Sequence, residues 1–155
     1  MKRIVRRIAS PAAAIAAVAA AGGCTQPFRS NAADTDPVSW KDPAGIVLAN
    51  ADTTSLRDLT LFLRCNDRFA EDTLTVRIRV RTPDSLQHEE PLRFEEFFRI
   101  TSPRTNGPAA IAREIAVPYR RRVRFAREGD YRMTIAPTRP VRGIEAVGIG
   151  TSDSQ

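Results

Sequence analysis

The residue with the clearest chemistry in this sequence is Cys24, which directly follows Gly22 and Gly23. Four basic residues and an Ala-rich apolar stretch, Ile8 to Ala21, precede it. A basic segment, a short apolar run and small residues before a cut are the parts of a secretory signal. A cysteine directly after the small pair is typical of lipoprotein processing, in which the thiol receives diacylglycerol and becomes the mature N-terminus. We therefore predict a signal peptide over 1–23 and lipidation at Cys24.

Two alternatives to lipidation are a simple signal peptide cut near Ala21 and an uncleaved anchor. Ala21 also stands where lipoprotein signals more often have leucine. The apolar run is short and Ala-rich for a span of the bilayer, which favours lipidation. Thr25, Gln26 and Pro27 contain no acidic run of the kind expected for surface display. We expect a lipid-anchored protein of the cell envelope, at the periplasmic face of the outer membrane rather than at the inner membrane.

Removal of the signal peptide changes the charge of the chain. The full sequence of 155 residues has 24 basic and 18 acidic residues. Four basic residues leave with the signal, so the remaining 132 residues have 20 basic against 18 acidic residues, a balance of +2. The high isoelectric point therefore gives no argument for nucleic-acid binding. A chain of this length predicts one domain that needs no metal or disulfide to fold, and Cys65, which alternates with leucines, is predicted to be a small core residue.

Alternation with a period of two dominates from Val38 onward. In Thr73–Arg81 the aliphatic residues fall on one side and Thr75 and three arginines on the other, as in a strand with one buried and one wet face. Turn-forming residues separate further apolar stretches. We predict strands there over Gly45–Asn50, Arg57–Cys65, Leu92–Ile100, Ile111–Tyr119, Arg121–Phe125, Asp130–Ala136 and Ile144–Ile149. About eight short strands predict an all-β fold, a single antiparallel β-sandwich or jelly roll.

The remaining stretches complete the predicted organisation. The polar segment before the first strand has no hydrophobic period, so we predict a lipidated flexible tether over 24–37. The β-sandwich is predicted over 38–151 and a disordered tail over 152–155. The sequence Glu95–Phe98 breaks the alternation and predicts a bulge or a short helical turn, and the Pro-Asn-Gly-rich connection 102–108 would carry the chain between sheets.

The sequence carries no motif that marks catalysis or cofactor binding. The single histidine, His88, has no cysteine or second histidine nearby, so we predict a solvated loop residue and no metal site. The carboxylate pairs Glu89-Glu90 and Glu95-Glu96 are sequence neighbours, whereas paired-acid catalysis needs groups that oppose each other across a cleft. No nucleophile elbow and no Gly-rich phosphate loop is present. We predict a protein that is not an enzyme and has no cofactor.

Three aromatic residues of the mature chain, Trp40, Tyr119 and Tyr131, bear on binding. Tyr131 alternates with apolar residues and is predicted to lie in the core. Trp40 either closes one end of the sandwich or provides a platform for a glycan. Tyr119 precedes a cluster of guanidinium groups that would suit an acidic protein partner or anionic lipid head groups, or would form a solvated edge that deters strand association. The arginines of this candidate surface are Arg120, Arg121, Arg122 and Arg124.

Several stretches occur in an order that resembles a known family. They are Trp40 soon after the tether, Leu59–Asn66, Thr73–Asp84, Phe125–Tyr131 and Val141–Ile149. Together with the lipoprotein leader, they resemble the gliding motility-associated lipoprotein family, GldH, of Bacteroidota. The resemblance covers nearly the whole mature chain. Two features of the family are reduced here: the Trp-Gly-rich stretch expected before Thr105 is missing, and only Phe69 remains of the aromatics expected after the Arg-x-Asn element at Arg64–Asn66. The resemblance implies an envelope lipoprotein that works beside other components of the motility and secretion machinery, and it transfers no catalytic or ligand residue.

The predicted function is therefore that of a membrane-anchored envelope lipoprotein, a non-enzymatic accessory that contacts other envelope proteins and neither nucleic acid nor metal. A glycan-binding lipoprotein that uses Trp40 is the alternative. A third hypothesis is a periplasmic chaperone or inhibitor that offers the strand edge Arg121–Arg124 to a partner.

Overall fold

The computed structural model describes residues 29–94 and 113–154. Cys24, the Glu95–Phe98 segment and the 102–108 connection lie outside these ranges. The described residues contain no helix and form eight strands. The strands are β1 (Arg29–Asp34), β2 (Ala44–Asn50), β3 (Leu56–Cys65), β4 (Leu74–Arg81), β5 (Gln87–Phe94), β6 (Arg113–Arg124), β7 (Gly129–Pro137) and β8 (Ile144–Asp153).

The eight strands form two antiparallel sheets of four. The first sheet has the order β1-β8-β3-β6 and the second the order β2-β7-β4-β5. Apart from the β4–β5 hairpin, each strand of the described residues is followed by a strand of the other sheet. An antiparallel sandwich of eight strands that alternate between two sheets in this order is a jelly roll. The predicted all-β sandwich is confirmed.

Period-two alternation places the core between the sheets. In β4, Leu74, Val76 and Ile78 are fully buried, while Arg77, Arg79 and Arg81 lie on the outer face. The prediction of one buried and one wet face for this strand is confirmed.

The two side chains that were predicted to lie in the core do so. Cys65 is inaccessible to solvent and Tyr131 is buried. The rings of Tyr131 and Phe125 pack edge to face, with their centroids 4.7 Å apart. Burial raises the pKa of the Cys65 thiol to about 12, so the sulfur stays protonated in the folded protein.

The predicted tether is wrong for residues 29–34, which form strand β1. Arg29 pairs with Thr151, and Asp34 pairs with Ala146. Strand β1 shows no hydrophobic period in the sequence, because Ala33 is its only apolar side chain that packs against the core. Backbone pairing with β8, which the sequence pattern does not report, orders this segment.

The predicted C-terminal tail is wrong for Ser152 and Asp153, since β8 continues to Asp153. Both residues pair with β3, opposite Asp58 and Arg57 respectively. The backbone N–H of Ser154 also donates a hydrogen bond to the carbonyl of Leu56, at 2.9 Å. The polar residues at this end of the strand show no hydrophobic pattern in the sequence. Main-chain hydrogen bonds to the neighbouring strand order them instead.

Two further strand boundaries differ from the predictions. Strand β5 begins at Gln87 rather than Leu92, so His88 lies in a strand and not in a loop, although it is exposed as predicted. Strand β6 runs from Arg113 to Arg124 without the predicted break at Arg120. Both segments are rich in charge because they are the edge strands that face each other at one side of the sandwich.

The sandwich has two ends, which we name by one residue each. At the Arg29 end the chain enters β1, and the turns 51–55, 82–86 and 125–128 lie nearby. At the Trp40 end the connections 35–43, 66–73 and 138–143 meet.

Gly143 allows two connections to touch at the Trp40 end. Its φ is +81°, a backbone conformation that residues other than glycine rarely adopt. A Cβ there would lie 2.2 Å from the backbone nitrogen of Phe69. The carbonyl of Gly143 accepts a hydrogen bond of 2.8 Å from the Asn66 N–H. The Trp40 end therefore depends on the absence of a side chain at position 143.

Gly143→Ala is expected to lower the free energy of unfolding by about 2 to 4 kcal/mol, through left-handed strain and overlap with the backbone. Urea denaturation monitored by Tyr and Trp fluorescence measures the change. Gly45→Ala is the matched control, because a Cβ there meets no atom within 4 Å. If both substitutions lowered the free energy of unfolding by the same small amount, the result would contradict the close approach of the two connections at Gly143.

Candidate functional site

Trp40 lies in the core and not on the surface. Its side chain is 1% exposed, and its backbone forms an isolated bridge to Val141 with hydrogen bonds of 2.8 and 3.0 Å. The indole Nε1–H donates to the carbonyl of Asp42 at 2.9 Å. A sugar ring cannot stack on an indole that is already covered by protein, so the interpretation of Trp40 as a glycan contact is corrected: the residue closes one end of the sandwich.

The predicted interaction surface lies on β6, an edge strand of the first sheet. Its register with β3 shifts twice, since Tyr119 is an extra residue between the pairs Thr60–Pro118 and Leu59–Arg120. Arg121 and Arg122 form a second irregularity opposite Asp58. Bulges of this kind re-aim side chains and bend an edge strand. The cluster that is contiguous in sequence is therefore divided into two parts in space.

The first part of the cluster closes the side of the sandwich where β5 and β6 face each other. The Tyr119 hydroxyl donates to Glu90 Oε1 at 2.5 Å, and Arg120 Nη2 donates to the same oxygen at 2.7 Å. The Arg120 guanidinium carbon also lies 5.4 Å from the centroid of the Tyr119 ring. Glu90 points inward from β5, the edge strand of the second sheet. We call these three residues the Glu90 clasp.

The electrostatics of the clasp favour the ionised carboxylate. Burial acts to raise the pKa of Glu90, but hydrogen bonds from Tyr119 and Arg120 outweigh it, so the pKa lies below its usual value. Burial, followed by the Glu90 hydrogen bond, raises the pKa of Tyr119 and keeps its hydroxyl protonated. The Glu90 hydrogen bond also raises the pKa of Arg120. The three groups therefore form a charge-assisted network that joins the two sheets.

The second part of the cluster lies beyond the clasp, toward the Arg29 end. Arg121, Arg122 and Arg124 are exposed. Arg122 has a φ of +54°, and its backbone N–H donates to Asp58 Oδ1 at 2.8 Å. The bulge and this side-chain cap interrupt the regular ladder of the edge. These features make Arg121–Arg124 a poor template for an added strand, which weakens the hypothesis of a strand-edge chaperone.

A cleft that the sequence did not predict opens at the Arg29 end. It has a volume of about 440 Å³ and lies between the sheet ends, beside Asn50, Arg57 and Phe125. The Arg57 guanidinium stacks 5.6 Å from the Phe125 ring centroid. The amide of Asn50 donates to the carbonyl of Arg127 at 2.9 Å. These polar groups hold neighbouring loops together.

Asp52, at the rim of the cleft, is likewise committed to its own loop. Hydrogen bonds from Ser55 and Thr54 hold its pKa well below the usual range. This loop was not recognisable as part of a cleft, because Asp-x-Thr-Ser is a common turn sequence.

The neighbours Glu89 and Glu90 project from opposite faces of β5, and His88 lies on the same side as Glu90. Glu89 points outward and forms ion pairs with Arg77 and Arg79 at 3.2 and 2.7 Å. His88 Nε2 lies 3.8 Å from Glu90. Glu89 and Glu90 therefore face opposite sides of the sheet, as expected for neighbours in a strand. Among residues 29–94 and 113–154, no group of three metal-binding side chains is found.

Comparisons with known proteins give no family for the chain: neither a protein-family model nor a curated protein sequence matches it. The resemblance to the gliding motility-associated lipoproteins stays a prediction. In the described parts of the chain, no helix is long and apolar enough to span a bilayer.

Trp40→Ala is expected to lower the free energy of unfolding by about 3 to 5 kcal/mol, because it empties a buried aromatic site. Thermal unfolding monitored by circular dichroism measures the loss. Val38→Ala, at a position that is 56% exposed, is the matched control and should leave the melting temperature unchanged. A stable Trp40→Ala protein with altered glycan binding would restore the surface interpretation.

Glu90→Gln is expected to lower the free energy of unfolding by about 1 to 2 kcal/mol at neutral pH, since it weakens the hydrogen bonds that Tyr119 and Arg120 donate to a charged acceptor. The lowered pKa of Glu90 means that its contribution is present above about pH 4.5, the usual value, and is lost as the pH falls through the folded-state pKa. The difference between wild type and Glu90→Gln should therefore shrink in acid.

Glu89→Gln is the matched control for the clasp, because Glu89 interacts with two exposed arginines, for which the expected loss is below about 1 kcal/mol. Combining Glu90→Ala, which removes the acceptor, with Tyr119→Phe gives a double-mutant cycle whose coupling energy measures the Tyr119 hydrogen bond. A coupling energy of zero would contradict the clasp.

Proposed function

We propose that this chain is a membrane-anchored envelope lipoprotein that acts as a non-enzymatic accessory or interaction component, as the resemblance to the gliding motility-associated lipoproteins implies. The observation that carries the proposal is the position of Cys24. It follows the Gly22-Gly23 pair at the end of an export signal and precedes the first strand of the domain by only five positions. A lipid on this thiol would hold the jelly roll directly beside a bilayer.

The arrangement of charged side chains supports an interaction role. The Glu90 clasp and the Arg139–Glu71 ion pair join strands or loops of the domain itself. Other arginines lie exposed on the outer face of the second sheet and at the Arg29 end. In the proposed function such surfaces contact other components of the envelope.

The glycan-binding alternative has lost the residue on which it depended. Trp40 is buried, and Tyr119 is half-buried with its hydroxyl bound to Glu90. The described residues therefore supply no exposed Trp or Tyr ring of the kind that stacks on sugars, and we do not carry this alternative further.

Metabolic labelling with an alkyne analogue of palmitate tests the anchor. Wild-type protein should incorporate the label and fractionate with membranes, and Cys24→Ala should lose both properties. Cys65→Ala is the matched control: Cys65 is buried in the sandwich, so its removal should leave labelling unchanged. Mass spectrometry should place the mature N-terminus at Cys24, and any other terminus would refute the anchor.

Crosslinking in intact cells, followed by purification of the protein, tests the accessory role. We expect a defined set of envelope proteins from the wild type and loss of that set from Cys24→Ala, because the unanchored domain no longer stays at the membrane. Identical crosslinked partners for both proteins would show that the contacts do not depend on the anchor.

A further inference from the structure

The outer face of the second sheet is basic. Within the described ranges it presents five arginines and two carboxylates, so its formal charge is +3. The arginines are Arg77, Arg79 and Arg81 on β4, Arg93 on β5 and Arg132 on β7, and the carboxylates are Glu89 and Asp130. We call this surface the arginine face. Arg81 and Arg132 are direct cross-strand neighbours of like charge, an arrangement that destabilises a sheet.

The two carboxylates do not bury the arginines. Arg77 and Arg79 share Glu89, yet their side chains remain 60% and 57% exposed. Arg132 lies 3.9 Å from Asp130 and is 65% exposed. The guanidinium groups of Arg77, Arg79 and Arg132 are therefore accessible from solvent while they stay on a rigid strand scaffold.

The outer face of the first sheet differs in character. Its centre consists of small residues around Phe62, whose ring lies over Gly148. Ala116 and Gly148 pair with Phe62 from the two sides. The centre of this outer face thus carries no charge, whereas the centre of the second sheet carries the arginines of β4.

The chemistry of the arginine face suits phosphate groups in a plane. A guanidinium group forms two parallel hydrogen bonds with a phosphate, which an ammonium group does not. All five cations of this face are arginines, and Lys41 is the only lysine after Cys24. A sheet face is broad and shallow, so it matches a surface of head groups better than it matches one small ligand held in a pocket.

The anchor proposed above reaches this face. Five residues span at most about 17 Å when extended, and stacked sheets lie about 10 Å apart. Strand β1 contacts β2, which is the edge strand of the second sheet. A lipid at Cys24 can therefore enter a bilayer that lies against the arginine face.

From this charge, geometry and reach we infer that the arginine face binds the head groups of anionic phospholipids, and that it orients the anchored domain with its second sheet against the bilayer. This inference rests on the proposed lipid anchor for its geometry. The anchor holds the protein at any membrane, whereas the arginine face selects a negatively charged one.

Arginine footprinting with phenylglyoxal tests the inference on the full protein purified from membranes. The protein is mixed with vesicles of phosphatidylcholine, or with vesicles in which about one third of the lipid is phosphatidylglycerol. On the anionic vesicles Arg77, Arg79 and Arg81 should react about fivefold more slowly, the factor for one cation at an anionic surface. Arg64, exposed on the first sheet, is the internal control and should keep its rate.

Salt and charge variants sharpen the test. At about 1 M salt, where the Debye length is about 3 Å, the protection should disappear. Arg81→Gln combined with Arg132→Gln should weaken binding to anionic vesicles by roughly 25-fold, two such factors. Arg64→Gln combined with Arg68→Gln changes the net charge equally, away from the face, and should have little effect. Melting temperatures of both double variants establish that they are folded.

Several outcomes would overturn the inference. They are equal protection of Arg64 and the arginine face, no protection on anionic vesicles, and equal losses in both double variants. Protection by a soluble acidic polysaccharide but not by vesicles would also overturn it, in favour of an acidic glycan. Failure of the proposed anchor gives a separate result, the loss of binding to neutral vesicles. A protein without an anchor would still support the inference if the anionic vesicles protected the arginine face.

Discussion

Burial of one side of each sheet organises this molecule. A strand has only two faces, and in this jelly roll the inner faces of both sheets contribute to one apolar core. Leu61, Leu63, Ile78 and Ile135 are fully inaccessible within it. Polar chemistry is thereby restricted to the outer faces, the edges and the ends of the sandwich. The Glu90 clasp lies at an edge, the cleft lies at the Arg29 end, and the arginine face is an outer face.

The edges show how the protein uses charge for structure. Where β5 and β6 face each other, an inward-pointing Glu90 meets Tyr119 and Arg120, so a half-buried carboxylate is stabilised by two donors. An inward charge and bulges both discourage pairing with another sheet. The same residues looked like a binding patch in the sequence because Tyr119 and the arginines are contiguous there. Their partner lies 29 positions earlier, on the other sheet.

Strand β1 has a consequence for the proposed function. With a tether of twelve or more residues the domain would rotate freely beside a membrane, and no surface would be favoured. Pairing of Arg29–Asp34 with β8 leaves only four residues, Thr25 to Phe28, between Cys24 and the strand. With the proposed lipid on Cys24, the Arg29 end would stay near the bilayer, and the charge of each face would decide how the domain lies. A short tether thus converts an asymmetry of surface charge into an orientation.

What could be predicted from the sequence was whatever depends on neighbours along the chain. The alternation in Leu74–Arg81 reports a strand because successive side chains point to opposite faces, and Cys65 and Tyr131 could be assigned to the core for the same reason. The leader and Cys24 are local patterns too, and the lipid anchor that they indicate stays a prediction. Strand β1 escaped prediction because its order comes from hydrogen bonds to β8, whose residues lie more than a hundred positions away. Packing and register decided the burial of Trp40, the partner of Glu90 and the position of five arginines on one face. Each of these requires strands from different parts of the sequence to lie side by side.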